Sequence, residues 1–128
     1  MLDLITYAML FIGTPYCWGG NDIETGVDCS GFVQEVLSAF GHDPRGDQTA
    51  QGLYNYFNSG VRSVNAEIKR NSLLFFGKDE NKITHIAIAI DSKLMIESGG
   101  EGSVDTTHGM VRIRPIKNRH DLVGIVPL

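Results

Sequence analysis

A chain of 128 residues, 42% of them hydrophobic, holds enough apolar material for one core and too little for two, so residues 1–128 are read as a single domain. The net charge of -4 and a pI near 5.4 exclude nucleic acid as a partner and give no electrostatic help toward any other anionic polymer. No run is long enough to span a bilayer, and no internal repeat, low-complexity tract or Gly/Ser linker points to an additional binding module.

In chain order, Leu4, Ile5, Ala8, Met9 and Ile12 keep helical spacing, which predicts a first helix over residues 3–12. The same stretch lacks the basic n-region of a signal peptide and carries Asp3, so no export signal is expected. Residues 19–27 read as a loop. Apolar residues then recur at Phe32, Val33, Val36, Leu37 and Phe40, the stripe of an amphipathic helix that starts at Cys29 and stops before Gly41. A third helical stretch is expected near residues 49–57. Strands are expected around residues 73–76, 84–90, 94–98, 110–114 and 122–126. Helices followed by an antiparallel sheet make an α+β order, with the Cys29 helix packed on the sheet and its first residue brought to the face that carries His85.

Cys29 in the first turn of a helix meets unpaired backbone N–H groups and the positive end of the helix dipole, both of which favour a thiolate. Asp28 can cap that helix through its carboxylate. On the strand Thr84-His85-Ile86-Ala87-Ile88-Ala89-Ile90 the isoleucines alternate with His85, Ala87 and Ala89. One face is therefore expected against the core, and the small-residue face around the imidazole is expected to leave room for a ligand. Asp91-Ser92-Lys93 reads as a hairpin turn, and a three-residue loop over residues 90–92 would set His85 directly opposite Glu97. A thiol, an imidazole and an acceptor that orients the imidazole are the parts of a cysteine-peptidase triad. Cys17 and Cys29 are expected to be free thiols. Neither they nor His42, His85, His108 and His120 show the close-paired spacing of zinc ligands, so no metal and no cofactor is expected.

Four blocks in order resemble the NlpC-type family of papain-like cell-wall cysteine peptidases. Gly13-Thr14-Pro15-Tyr16-Cys17-Trp18-Gly19-Gly20 is similar to that family's first motif, and Asp28-Cys29-Ser30-Gly31-Phe32 to its nucleophile motif. Leu73-Leu74-Phe75-Phe76 is similar to the strand ahead of the histidine, and the run from His85 to Ile90 to the histidine strand itself. Arg70-Asn71-Ser72 stands where many members carry Pro-Gly-Asp, a changed turn. Met95-Ile96-Glu97-Ser98-Gly99-Gly100 and Val111-Arg112-Ile113-Arg114-Pro115-Ile116 most resemble the branch carried by phages and prophages, often beside tail genes.

The resemblance implies a papain-like α+β fold in one catalytic domain, with Cys29 as nucleophile, His85 as base, and Glu97 at a third position that many members fill with His, Asn or Gln. By the same resemblance Tyr16 sits beside the oxyanion, Asp28 and Ser30 line the groove for the free amine of a stem peptide, and Trp18 forms a groove wall. The implied activity is that of a peptidoglycan endopeptidase cutting the stem peptide between D-γ-glutamate and the diamino residue. A wall enzyme made in the cytoplasm without its own signal would be delivered by a phage tail, a holin pore or a secretion apparatus, with phage tail proteins as partners. Two other readings are a catalytically retired tail module that keeps the fold, and an amidase or acyltransferase of the same fold acting on a non-wall substrate. An intact Cys29 and His85 count against the first, and the lack of an apolar acyl-binding signature against the second.

Overall fold

The computed structural model describes residues 3–17, 19–22, 26–57, 67–101 and 105–128. Their elements run α1 (Leu4–Met9), β1 (Asn21–Asp22), β2 (Gly26–Val27), α2 (Cys29–Ala39), α3 (Ala50–Phe57), β3 (Leu73–Gly77), β4 (Ile83–Ala89), β5 (Leu94–Glu101), β6 (Asp105–Pro115), a 3₁₀ turn (Ile116–Asn118) and β7 (Leu122–Val126). The last five strands form one antiparallel sheet in the order β6-β5-β4-β3-β7, with β1 and β2 a separate short pair. The expected α+β architecture is therefore present.

Period-2 alternation gives the sheet two apolar faces. Leu73, Phe75, Ile86, Ile88, Ile96, Val111 and Val126 share a core with α1, α2 and α3. Phe32, Val33, Val36 and Leu37 of α2 are fully buried there, and each such side chain contributes roughly 1.5–3 kcal/mol of apolar burial. Leu74, Phe76, Ala87, Ala89, Met95 and Ile125 form a second cluster, against which Ile68 and Leu122 pack. Buried Gln34 of α2 organises the connection to α3: its Nε2 donates to Asp43 Oδ1 and the Gly46 carbonyl, and its Oε1 accepts from Gln48 N.

Several elements differ from expectation. α1 begins at Leu4, capped by the Asp3 carboxylate and close to the expected start, but ends at Met9, because Leu10, Phe11 and Ile12 bond three residues back and the chain turns at Gly13 with φ 95°. Met9 and Ile12, expected on the buried stripe, are exposed. Residues 19–27 hold the β1–β2 pair in addition to turns. β5 runs beyond the expected Ser98 to Glu101 and β6 starts at Asp105, ahead of the expected residue 110, so Gly99 also lies in a strand and pairs with Met110 beside the Ser98–Val111 pair. In the changed turn before β3, Asn71 takes the left-handed conformation (φ 73°), which Asn tolerates better than most residues.

Candidate active site

Asp28 and Cys29 are delivered by a crossing of two chain segments. Cys17 N donates to the Val27 carbonyl, Val27 N to the Pro15 carbonyl, and Asp28 N to the Gly20 carbonyl. Gly26 (φ 139°) makes the crossing possible, since a Cβ there would lie 2.7 Å from Cys17 Cβ. Residues 13–16 are stitched in turn to β6: Gly13 N donates to the Val111 carbonyl and Tyr16 N to the Gly109 carbonyl. From β5, the buried Ser98 hydroxyl donates to the Val27 carbonyl at 2.8 Å, two residues before the cysteine. Ser98→Ala should cost roughly 1 kcal/mol in thermal or denaturant unfolding and lower kcat several-fold with KM little changed, because the loop leading into Cys29 loses its tie to the sheet.

Asp28 caps α2 as expected, but its Oδ1 accepts from Gly31 N at 2.7 Å and from the Ser30 hydroxyl at 3.2 Å. Cys29 follows as the first helical residue, half-buried, while Cys17 is exposed; neither forms a disulfide. Tyr16, Asp28, Cys29 and Ser30 line one cleft of about 380 Å³, closed on its other side by Thr49, Ala50, Ile83 and Thr84. Burial, reinforced by the negative charge of Cys29, Asp28 and Cys17 nearby, pushes the Tyr16 phenol up to about 12, so it stays a hydrogen-bond donor at any working pH. Trp18 lies outside the described residues. A larger depression, about 640 Å³, sits between the β4–β5 turn and the 3₁₀ turn and is lined by no thiol, imidazole or carboxylate.

His85 reaches the cleft through an irregularity in β4. Phe76 pairs with His85 and Gly77 with Ile83, so Thr84 is an extra residue without a partner on β3, a β-bulge. A Cβ at Gly77 would lie 2.1 Å from the Lys82 carbonyl oxygen, so only glycine fits opposite the bulge. The bulge breaks the alternation: Ile83 and Ile86 both join the helix-side core, and His85 lies between them, 8% exposed. Its ring sits 5.7 Å from that of Phe76, and its Nε2 is 2.8 Å from Glu97 Oε1. That leaves Nδ1 available to the Cys29 thiol, whose interaction favours the charged imidazole.

The Glu97 contact forms in a different register from the expected one. Ile88 pairs with Ile96 and Ala89 with Met95, and Ile90 N donates to the Leu94 carbonyl, so the turn falls on residues 91–93, one residue later than expected, and Glu97 falls opposite Ala87, one diagonal from His85. The shifted turn is stabilised by Asp91, whose carboxylate accepts from Lys93 N and Leu94 N. A glutamate is long enough to bridge the diagonal, and the alanine opposite leaves it the space. The small-residue face is likewise not open to a ligand: Ala87 and Ala89 are fully buried in the second apolar cluster. The open space is the cleft at the α2 N-terminus.

Burial alone would push the imidazole down, but its hydrogen bonds to Cys29 and Glu97, together with their charges, outweigh that and hold it up at about 9. Burial likewise raises Glu97, and the His85 hydrogen bond, the His85 charge and Arg112 bring it below its usual value. The site thus stabilises an imidazolium between a carboxylate and a sulfur. Sequence reading missed Ser98 and Arg112. The alternation of Arg112 and Arg114 with Val111 and Ile113 marks a basic strand face, yet only the β5–β6 pairing shows that Arg112 lies across from Glu97. Among the described residues no group of three or more His, Cys, Asp or Glu is arranged to hold a metal ion, and no helix is long and apolar enough to cross a membrane.

Comparison with known proteins finds the family model described as NlpC/P60 family over residues 13–119. The chain is 35% identical over 105 residues to the gamma-D-glutamyl-L-lysine dipeptidyl-peptidase of Bacillus subtilis, covering 78% of this chain and 32% of that protein. It is 28% identical over 121 residues to the peptidoglycan endopeptidase RipB of Mycobacterium tuberculosis, covering 83% of this chain and 44% of that protein. The chain therefore spans less than half the length of these curated relatives. Among solved structures, the NlpC/p60 domain of the peptidoglycan hydrolase SagA aligns with a TM-score of 0.72 at 30% identity, over 98% of this chain and 96% of that one.

Proposed function

Because the chain belongs to the NlpC/P60 family and has its papain-like α+β fold, we propose that it is a cysteine peptidase that hydrolyses an amide bond in the stem peptide of peptidoglycan. The observation that carries this reading is a buried imidazole hydrogen-bonded to a carboxylate and interacting with the thiol of Cys29, which lines an open cleft at the start of α2. The bond assigned is the one between D-γ-glutamate and the diamino residue, in keeping with the activity for which the Bacillus subtilis relative is named.

In the proposed reaction the Cys29 thiolate attacks the scissile carbonyl carbon and its charge passes to the carbonyl oxygen. The Tyr16 hydroxyl and the Cys29 backbone N–H are the donors assigned to that oxyanion, a role that requires the phenol to keep its proton. The His85 imidazolium gives its proton to the amide nitrogen, the C–N bond breaks and the amine leaves. Neutral His85 then takes a proton from water as the hydroxyl oxygen attacks the thioester, and collapse releases the carboxylic acid and restores the thiolate–imidazolium pair. Glu97 keeps the imidazole oriented and favours its charged form. Asp28 and Ser30, on the cleft wall, are assigned to the free amine of the stem peptide, the carboxylate supplying the charge.

Carriage by a phage or prophage, contact with phage tail proteins, and delivery of a cytoplasmically made chain by tail, holin or secretion apparatus are supported by the resemblance of the Met95 and Val111 segments to phage-borne members. The decisive experiment is mass spectrometry of muropeptides digested with the protein. New termini at D-γ-glutamate and at the diamino residue are expected, and an unchanged digest, or cleavage in the glycan, would overturn the proposal.

A further inference from the structure

The two oxygens of Glu97 serve different partners. Oε1 is 2.8 Å from His85 Nε2, while Oε2 accepts from Arg112 Nε at 3.2 Å and lies 4.0 Å from Arg114 Nη1. The carboxylate is 2% exposed, so it has no solvent shell to hold it when a partner is lost. Arg112 stands directly across from Glu97 on β6. The strand is hollowed out for the pair: a Cβ on Gly99 would lie 2.6 Å from Arg112 Nη2 and 2.7 Å from Glu97 Oε2.

We propose that Arg112 is a positioning residue of the active site, fixing Glu97 through Oε2 so that Oε1 stays on His85, which makes the Glu97–Arg112 pair, not Glu97 alone, the third component. This rests on the reading of Cys29 and His85 as nucleophile and base. Two physical effects act in the same direction. Without the guanidinium the carboxylate is free to rotate off the imidazole, and in so dry a site it takes up a proton more readily; each withdraws support from the imidazolium. An amide at position 97 has one acceptor oxygen and so cannot serve both partners: with its oxygen on His85, its NH₂ faces the N–H groups of Arg112.

Among the described residues, the charged groups around this unit come from each neighbouring element. Cys29 reaches His85 from α2, Arg112 and Arg114 reach Glu97 from β6, and Asp121, ahead of β7, adds a negative charge near His85. Arg119 pairs with Asp121 and lies over the Phe76 ring that neighbours His85, and Tyr16 and Asp28 flank Cys29. None of these links Arg112 to His85 except through Glu97.

The test compares wild type with Arg112→Lys, Arg112→Met, Glu97→Gln and the Glu97→Gln/Arg112→Met double variant. It follows muropeptide turnover and the rate of Cys29 alkylation across pH, with unfolding curves to confirm that each is folded. Arg112→Met should lower kcat about tenfold with KM within about twofold, and move the alkaline limb of the profile down by about one pH unit, the size expected for one lost charge-assisted hydrogen bond. Arg112→Lys should stay within about threefold of wild type, since an ammonium can hold Oε2. The double variant should be no slower than Glu97→Gln alone. An unmoved limb and unchanged kcat in Arg112→Met, equal losses in Lys and Met, or losses that multiply in the double variant would each overturn the positioning role. A wild-type Cys29 that shows no imidazole-dependent limb would overturn the underlying reading, and this proposal with it.

Discussion

Cys29→Ala should abolish turnover, by on the order of 10⁴-fold or more, while the protein remains folded. The substitution removes one half-buried sulfur from the first turn of α2 and leaves the Asp28 cap, the Gly31 N–H bond and the apolar stripe of the helix in place. The loss in stability should therefore be about 1 kcal/mol or less, readable in a denaturant titration. The informative comparison is with Cys17, which is the more exposed of the two thiols and, by access alone, should be alkylated first. Of the two thiols, Cys29 is the one that interacts with the His85 imidazole. Iodoacetamide at neutral pH followed by peptide mapping should thus label Cys29 ahead of Cys17, and Cys17→Ser should keep full activity. Faster labelling of Cys17, or turnover in Cys29→Ala, would remove the enzyme proposal.

His85→Ala should be as damaging to turnover as loss of the cysteine and should also erase the fast alkylation of Cys29, because the thiolate loses the cation that faces it. In wild type the pH profile should be bell-shaped, with limbs that belong to the coupled pair and an alkaline limb near 9, where His85 gives up its proton. The same shift makes a statement about stability. A histidine held at about 9 in the folded protein, against an ordinary value of 6.5, contributes stability that is fully present below pH 6.5 and is lost as pH rises through 9. Wild type should therefore lose on the order of 3 kcal/mol between those limits that His85→Ala does not lose. Glu97 acts at the other end of the range: held below its usual value, it contributes stability above about pH 4.5 that is lost on acidification. Unfolding free energies of the two proteins measured at pH 6 and pH 9.5 decide the first point, and parallel curves would mean that the imidazole is not held charged.

Much of the site was legible in the sequence because it rests on local rules. The start of α2 at Cys29 follows from a capping aspartate before an apolar stripe, and the strand at His85 from its alternation of isoleucine with small residues. Glu97 was legible as the neighbour of His85 because a hairpin turn brings the two strands together whatever the exact loop length. The position of the turn was not legible. Asp91 captures both Lys93 N and Leu94 N, which sets the turn at residues 91–93 and moves Glu97 from the position opposite His85 to the diagonal. The contact survives only because a glutamate reaches across an alanine.

By itself, then, the sequence determined the order of helices and strands, the placement of a thiol at a helix N-terminus and of an imidazole on a central strand, and the family to which these belong. Each depends on residues close together in the chain. Only the tertiary structure decided the register of β4 on β5, the bulge at Thr84 that sets His85 between two core isoleucines, and the burial of the small-residue face that alternation alone left open. It also decided that Ser98 ties β5 to the loop before Cys29 and that Arg112 faces Glu97. Period-2 patterning assigns a side chain to a face but carries no information on which residue lies across from it. That pairing is set by loop lengths, by glycines such as Gly77 and Gly99 where other chain must pass, and by the packing of whole strands against one another.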